Sequence, residues 1–596
     1  MIMLVELHVV NFRSIRDETF KFDNLSVLIG KNNCGKSNLL DAIQLLIEGS
    51  SKDIDEKDFF DKSADISICG KFGGTKDYLQ LLDNKNSLRL EECLDDNGYI
   101  TIRRFGRAKE MKLDRQEILD KNTENFSTPT GIDAVLRQLL PEVVYVRPLS
   151  NVSEELSGKT TSAITKLFAA IMSNVETSLQ PLLDQAFEKA NRLLNVVADP
   201  QDATKEIDTR LSELKEIENT LNVYLSQSFP NTRARLNIEM PDVKKIVGNN
   251  EIQINDGVIW TPYYRQGQGL QRALLLSLLQ TLAQQIRKQP DSKVKKPFML
   301  LIEEPESFLH PVAQEQMRRA IETISASTQI IFATHSPLLV SPNCLTGLIR
   351  LFKVPYPPLK NEETRKIGTC ITQKELDNMK DLLALLNLQR SSYLFFANTI
   401  ILLEGEGDIY LHRALIEKTK NISLEVEDIA LVEIGGKDRI SRLKDLFRHF
   451  CPNVMAIADI DYLWTGSGNE LSSDPTLSQL CQEIADKTEA ELKNSGKVCD
   501  DEQSNKLSKQ LKKKYCLCDE LADKKNELCD KLEDKGTFVL RNGEIEDYVS
   551  LGKSSKGNYL NAAQEVKSGT RPIQYEEELS VLYGKIIDRA RSRGIS

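Results

Sequence analysis

The stretch Leu28-Ile29-Gly30-Lys31-Asn32-Asn33-Cys34-Gly35-Lys36-Ser37 decides the fold of the first half of this chain. It fits G-x-x-x-x-G-K-[ST] directly after the apolar run Leu25 to Ile29 and before the helix-like Asn38-Leu39-Leu40-Asp41-Ala42-Ile43. Glycines at such a strand-to-helix turn let backbone N–H groups curl around phosphates, at the positive end of the following helix. The lysine reaches the β/γ-phosphates and the serine hydroxyl sits on Mg2+. The pattern predicts ATP bound with Mg2+, with Gly30, Asn33, Gly35, Lys36, Ser37 and Asn38 as its contacts and Ser37 on the metal. Cys34, at the helix N-terminus, is expected to have a lowered thiol pKa and to be shielded from alkylation by ATP.

Outward from this loop, short apolar strands (Leu4 to Val10, Val143 to Val146) alternate with helical segments, as in an α/β unit. From Glu154 to about Gln227 the spacing turns helical, with Ile164, Leu167, Phe168 and Ile171 and then Leu211, Leu214, Ile217 and Leu221. This stripe has to be buried against itself or a second copy of the chain. A strand is expected at Ala234 to Ile238, and the α/β pattern resumes with Phe298 to Ile302 and Gln329 to Ala333. Val354-Pro355-Tyr356-Pro357-Pro358 reads as a turn or linker.

At 596 residues the chain is too long for one core. The longest apolar stretch, Ala273 to Ala283, is too short to span a bilayer, and the N-terminus reads as a strand rather than a signal peptide. Eleven scattered cysteines argue for reduced thiols. Cys499, Cys516, Cys518 and Cys529 lack the paired spacing of a zinc site. A cytoplasmic location with no membrane partner is the expectation. The net charge of −10 does not by itself indicate a nucleic-acid binder. Two basic stretches stand out, Arg103, Arg104, Arg107, Lys109, Lys112 and Arg115, and Lys585, Arg589, Arg591 and Arg593. Each is read equally well as a solvated face or a phosphate track.

The strand at 298 to 302 runs into Glu303-Glu304-Pro305-Glu306 and Ser307-Phe308-Leu309-His310. A strand-end carboxylate beside a phosphate loop can hold Mg2+ through water, and the next can orient the water that attacks the γ-phosphate. Glu303 is the expected metal-side residue and Glu304 the expected catalytic one. His335, in Thr334-His335-Ser336, is a candidate contact to the γ-phosphate. Arg265-Gln266-Gly267-Gln268-Gly269-Leu270-Gln271-Arg272 opens a helix, and Gly267, Gly269 and Gln271 form a candidate second anion nest. This set resembles the ABC-type ATPase head of structural-maintenance and repair ATPases, over about residues 1 to 150 and 235 to 345. The likeness implies a homodimer or higher homo-oligomer, because in such heads one subunit's signature loop completes another's nucleotide site. The helices at 154 to 227 are the expected adhesive. Glu303 in place of the usual aspartate and a Gly-Gln-Gly-Leu-Gln signature suggest that ATP gates more than it powers.

A second α/β unit begins at Thr399, with strands Thr399 to Leu403, Ala430 to Ile434 and Val454 to Ala458. A polar segment from Trp464 to Lys535 reads as an inserted helical hairpin. Glu404 ends the first strand and Asp408 opens the next helix. Gly435-Gly436-Lys437 follows the second strand, and Asp459 and Asp461 end the third. Parallel strands deliver their tips to one carboxyl edge, where open α/β sheets bind ligands. Four carboxylates crowded there call for divalent cations, and oxygen-only ligands favour Mg2+ or Mn2+ over zinc. The trio Glu404…Gly435-Gly436…Asp459-x-Asp461 resembles a Toprim domain. An ABC-type head followed by a Toprim domain resembles, over nearly the full chain, the OLD (overcoming lysogenisation defect) family of ATP-dependent nucleases. Asn11-Phe12-Arg13-Ser14-Ile15, Phe395-Phe396-Ala397 and Gly543-Glu544-Ile545-Glu546-Asp547-Tyr548 look like family motifs. By that likeness Glu546 is a further metal ligand and Lys556, or Lys553, a catalytic lysine near the scissile phosphate.

The expected architecture is therefore α/β. The ABC-type ATPase occupies 1–150 and 234–372, a helical dimerisation insertion 151–233, and a doubly wound Toprim domain 373–596 with a helical insertion at 464–535. The resemblance implies an ATP-regulated, divalent-metal-dependent DNA endonuclease in antiphage defence. It works alone, beside a helicase-like partner, or with a reverse transcriptase and its DNA. The alternatives are a DNA-clamping ATPase with an inactive Toprim unit, or a topoisomerase or primase.

Overall fold

A computed structural model describes residues 2–147, 185–198, 206–228, 234–236, 252–288, 298–356, 367–372, 392–494, 502–552 and 556–593, apart from short gaps within these spans such as 80–86. Two compact units emerge, one from Met1–Pro141 with Ile331–Ser596 and the other from Glu142–Ile330.

In the first unit a long sheet forms around strand Leu25–Ile29, whose five residues are all buried. Leu348–Pro355 lies parallel to it, with Arg350 opposite Ile29. Ile367–Thr372 pairs antiparallel with Leu348–Pro355, and Thr369 also meets Ile15 of the strand Ile15–Lys21. The expected linker at Val354 to Pro358 is thus partly strand. Pro355 sits at the strand's end, where a residue without an N–H is tolerated. Beyond Ile15–Lys21 the sheet continues antiparallel through Met3–Phe12, Ile66–Gly73 and Ile100–Arg107. Asn11 and Arg13 take left-handed φ values of 60° and 48° at the first hairpin. Their side chains hold neighbouring loops. Asn11 binds the carbonyls of Asp61 and Ala64, and Arg13 binds Asp58 and Asp41.

The first unit holds a second sheet of four parallel strands in the order Ile429–Glu433, Thr399–Leu403, Asn453–Ala458 and Thr537–Val539. The fourth strand lies just past the 464–535 insertion and is too short for an apolar period to reveal. Thr399–Leu403 is buried along its whole length, worth about 1.5–3 kcal/mol for each large side chain. Helix Glu406–Lys420 starts after Gly405 and ends at Asn421, whose φ of 50° gives a left-handed cap. It buries Leu411, Ala414, Leu415 and Ile416 among Leu579, Tyr583 and Ile586 of helix Glu576–Arg593. Among its described residues the insertion forms three long helices instead of the expected hairpin: Pro475–Asn494, Glu502–Cys516 and Ala522–Asp534. A buried ion pair anchors its start, where Lys444 Nζ donates to Glu470 and to Thr537.

In the second unit Phe298–Glu303 runs parallel to Glu142–Val146. The expected strand at Ala234 to Ile238 does not form over the described residues Ala234 to Leu236. There the backbone N–H groups of Ala234 and Leu236 donate to the side chains of Asn222 and Glu218 instead. The 151–233 insertion also carries a short antiparallel pair, Val197–Ala198 with Glu206–Ile207, before helix Ser212–Ser228. On and beside that helix Leu211, Ile217 and Leu221 are exposed. Ile164, Leu167, Phe168 and Ile171 lie outside the described residues. Among the described residues no helix is long and apolar enough to cross a membrane.

Candidate active site

Gly30 and Gly35 take φ values of 145° and 109°, and Asn33 one of 63°. A Cβ on Gly30 would stand 2.2 Å from the Leu351 carbonyl oxygen, and one on Gly35 2.4 Å from Thr369 Oγ1. Both glycines are therefore required by the strands behind the loop as well as by the turn. Thr369 Oγ1 donates to the Cys34 carbonyl and is bonded to Ser14, which also accepts from the Asn38 amide. Helix Lys36–Glu48 follows, with Ser37 exposed in its first turn. The Lys36 ammonium donates to the carbonyls of Gly30 and Lys31, at 2.9 and 3.0 Å. A loop of donors closed by a lysine fits a phosphate chain. Cys34 departs from expectation. It is 2% exposed, and burial pushes its thiol up despite the helix N-terminus and Lys36, so it is neither acidic nor accessible. His335 follows strand Gln329–Ala333, and the Thr334 N–H donates to the Leu28 carbonyl.

In the second unit Glu303 is buried at its strand end and accepts from the Tyr145 hydroxyl. Glu304 takes a left-handed φ of 45° and accepts from Ser307. Gly267 and Gly269 lie at the start of helix Gln268–Lys288 with open space where a Cβ would be, and the Gln271 amide donates to the Gln266 carbonyl.

The acids of the four-stranded sheet converge. The register Leu402↔Ala456 and Leu403↔Glu433 brings the strand ends to one edge. There Glu404, Asp459 and Asp461 each present a carboxylate oxygen within 4.8 Å of the others. The turn Gly435-Gly436, with φ values of 69° and 133°, donates the Gly435 N–H to the Glu404 carbonyl. Asp459 Oδ1 accepts from the Ile545 N–H at 2.9 Å, Asp408 accepts from the Gly405 N–H at 2.9 Å, and Glu546 accepts from the Tyr559 hydroxyl. Burial raises Glu404 to about 7, with Asp461 and Asp408 adding repulsion. Asp408 is raised to about 6 by burial and by Glu546, Glu433 and Glu544. Asp459 is held well above the carboxylate range by burial and by Glu404, Asp408, Glu546 and Asp461. The other four predicted acids thus all bear on Asp459. Glu404 Oε1 and Asp461 Oδ1 are buried with no hydrogen-bond partner. Crowded, desolvated and partly orphaned carboxylates with oxygen donors only are what a divalent cation satisfies, so the residues fit Mg2+ or Mn2+.

Sequence reasoning missed the lysines that face this cluster. Lys437, noted only beside its glycines, is ion-paired with Asp461, and Lys509 of the insertion reaches the same Asp461 oxygen at 3.3 Å. Lys556 opens helix Lys556–Ser568, and Lys553 lies outside the described residues. A lysine delivered by a long insertion leaves no local spacing to read. Both basic stretches instead spend charge internally. Arg103 pairs with Glu117, Arg107 with Asp65 and Asp114, Lys585 with Glu533, and Arg591 with Glu427.

Residues 25–341 match the family described as "AAA domain, putative AbiEii toxin, Type IV TA system", and residues 395–461 match "Overcoming lysogenization defect protein-like, TOPRIM domain". The chain is 26% identical to the Old nuclease of Escherichia phage P2, over 93% of this chain and 94% of that protein. It is 25% identical to the OLD nuclease of Thermus scotoductus, over 73% and 78%. To the endonuclease GajA of Bacillus cereus it is 23% identical, over 72% and 69%. The chain therefore belongs to that AAA family, whose model spans more than half of it, and carries behind it a Toprim domain of the OLD type.

Proposed function

We propose that this chain is an ATP-regulated, divalent-metal-dependent DNA endonuclease that acts in the cytoplasm in antiphage defence. One observation carries the reading: Glu404, Asp459 and Asp461 meet within 4.8 Å, with buried oxygens of Glu404 and Asp461 left unpaired. These residues would hold Mg2+ or Mn2+, with Asp408 and Glu546 flanking. Such a cation, when bound, activates water and stabilises the leaving oxygen of a phosphodiester. The protein supplies the order. The Ile545 N–H fixes the Asp459 carboxylate, Tyr559 orients Glu546, and Asp408 ties the first helical turn to Gly405. The Gly435-Gly436 turn presents no side chain, which lets a nucleic-acid backbone approach the acids.

On the nucleotide side we assign Lys36 to the β/γ-phosphates, Ser37 and Glu303 to Mg2+, and Glu304 to the attacking water. Asn33 and Asn38 border the loop, His335 senses the γ-phosphate, and Gly267, Gly269 and Gln271 bind nucleotide in a second subunit. The exposed Leu211, Ile217 and Leu221 support a homodimer or larger homo-oligomer. DNA is the substrate, and a helicase-like or reverse-transcriptase partner is compatible with the family. Plasmid cleavage in Mg2+ or Mn2+ across ATP concentrations tests the proposal. Asp459→Ala is expected to abolish cleavage and Lys36→Ala to remove its response to ATP. Cleavage unchanged in Asp459→Ala ends the assignment.

A further inference from the structure

An acid cluster on a chain of net charge −10 repels the polyanion it is meant to cut. Cations must offset that repulsion beside the acids, and most of the charge in both basic stretches goes to internal carboxylates and carbonyls. Among the described residues two ammonium groups stand at the cluster, Lys437 and Lys509, and both lie on the same oxygen of Asp461. Asp461 is 2% exposed, and its other oxygen is buried and unpaired. Two monovalent donors thus share one acceptor while its neighbour has none. An ammonium carries three N–H donors, so each lysine keeps donors to spare.

The two lysines differ in origin. Lys437 is tethered by the Gly435-Gly436 turn and is mostly covered, its side chain 17% exposed. Lys509 rises from helix Glu502–Cys516 of the insertion, beyond the matched Toprim residues, with a side chain 54% exposed. One turn further along, Lys513 faces the same edge and pairs with Asp547, 3.9 Å from Glu544. The i,i+4 spacing puts Lys509 and Lys513 on one face of the helix, about 6 Å apart along its axis. A covered cation next to the acids, an exposed one beside it and a third, partly covered, one turn further along make a line of positive charge of the kind that tracks a phosphate backbone.

We propose that Lys437 and Lys509 bind DNA phosphates beside the acid cluster, and that helix Glu502–Cys516 guides the strand toward it through Lys509 and Lys513. This rests on the nuclease reading above. The guide is part of the insertion, so the strand is led in by a segment separate from the sheet that carries the acids and Lys437.

The test uses the full chain and a fluorescently labelled DNA duplex, with binding followed by anisotropy over a salt series in Ca2+. Lys509→Ala is expected to weaken binding roughly ten-fold, the loss of one charge-assisted contact. It should also make the slope of log K against log[salt] shallower by about 1. In Mg2+ cleavage the KM rises, and Lys509→Arg restores both affinity and slope. Mn2+ affinity is measured by calorimetry in parallel. An unchanged DNA affinity and salt slope in Lys509→Ala overturns the proposal, and tighter Mn2+ binding alongside would identify Lys509 as a plug on the metal site. Wild-type cleavage separates the two levels. If the wild type cuts DNA and Lys509→Ala binds it normally, only the guide fails; if the wild type does not cut, the nuclease reading fails.

Discussion

Replacing Glu404 by glutamine should stabilise the cation-free protein while destroying its activity. In the fold this carboxyl is raised from its ordinary range to about 7, first by burial and then by Asp461 and Asp408. The native state therefore holds its proton more tightly than the unfolded chain does. Between the unfolded and folded values, stability falls as pH rises, and above about 7 the full cost is present. That cost is about 3 kcal/mol for a shift of this size. Glutamine carries no charge at any of these pH values, so the variant escapes it. At pH 8 in EDTA the Glu404→Gln protein should melt roughly 5 °C above wild type, and at pH 4.5 the gap should close. His412 works in the opposite direction. Buried against the Tyr583 hydroxyl at 2.8 Å and pushed down to about 3, it refuses a proton that the unfolded chain accepts, so acid destabilises the fold through it. Comparing variant with wild type at each pH cancels that contribution. Thermal unfolding across pH, with and without Mg2+, is the assay. A Glu404→Gln protein no more stable than wild type at pH 8 without cation would refute the claim that burial and the neighbouring acids raise the Glu404 carboxyl.

Mn2+ should raise the melting temperature of wild type more at pH 8 than at pH 6, because Glu404 and Asp408 must lose their protons to coordinate; a shift independent of pH would remove the link. Glu470→Ala leaves Lys444 charged and buried without its carboxylate, and should cost about 3–5 kcal/mol in urea unfolding. A loss below 1 kcal/mol would mean that the pair is solvated. Ile217→Lys with Leu221→Lys should lower the assembly state seen by sedimentation while leaving the melting temperature of the chain nearly unchanged, since both side chains are exposed.

The glycine-rich loop and the acid cluster were legible because each sits at a strand end with a fixed local spacing, as in Gly30 to Ser37 and Asp459-x-Asp461. Cys34 was misread because its depth comes from strands 348–355 and 367–372, more than 300 residues away in sequence. Lys509 was invisible for the same reason, since only the folded insertion brings it to Asp461. Strand Thr537–Val539 was too brief to show a period, and at Ala234 to Leu236 two side chains took the place of a neighbouring strand.

Lys31, within the nucleotide loop, is ion-paired at 3.0 Å with Asp428, whose carbonyl accepts from the Thr399 N–H at the root of the Glu404 strand. Alongside, Arg350 donates to Asn398, one residue before that same root. Lys31 thus ties the glycine-rich loop to the turn from which the Glu404 strand springs. The phosphate-loop turn and the root of the acid-bearing sheet are therefore joined by a direct ion pair, so the two halves of the chain meet at the very loop that opens the first helix.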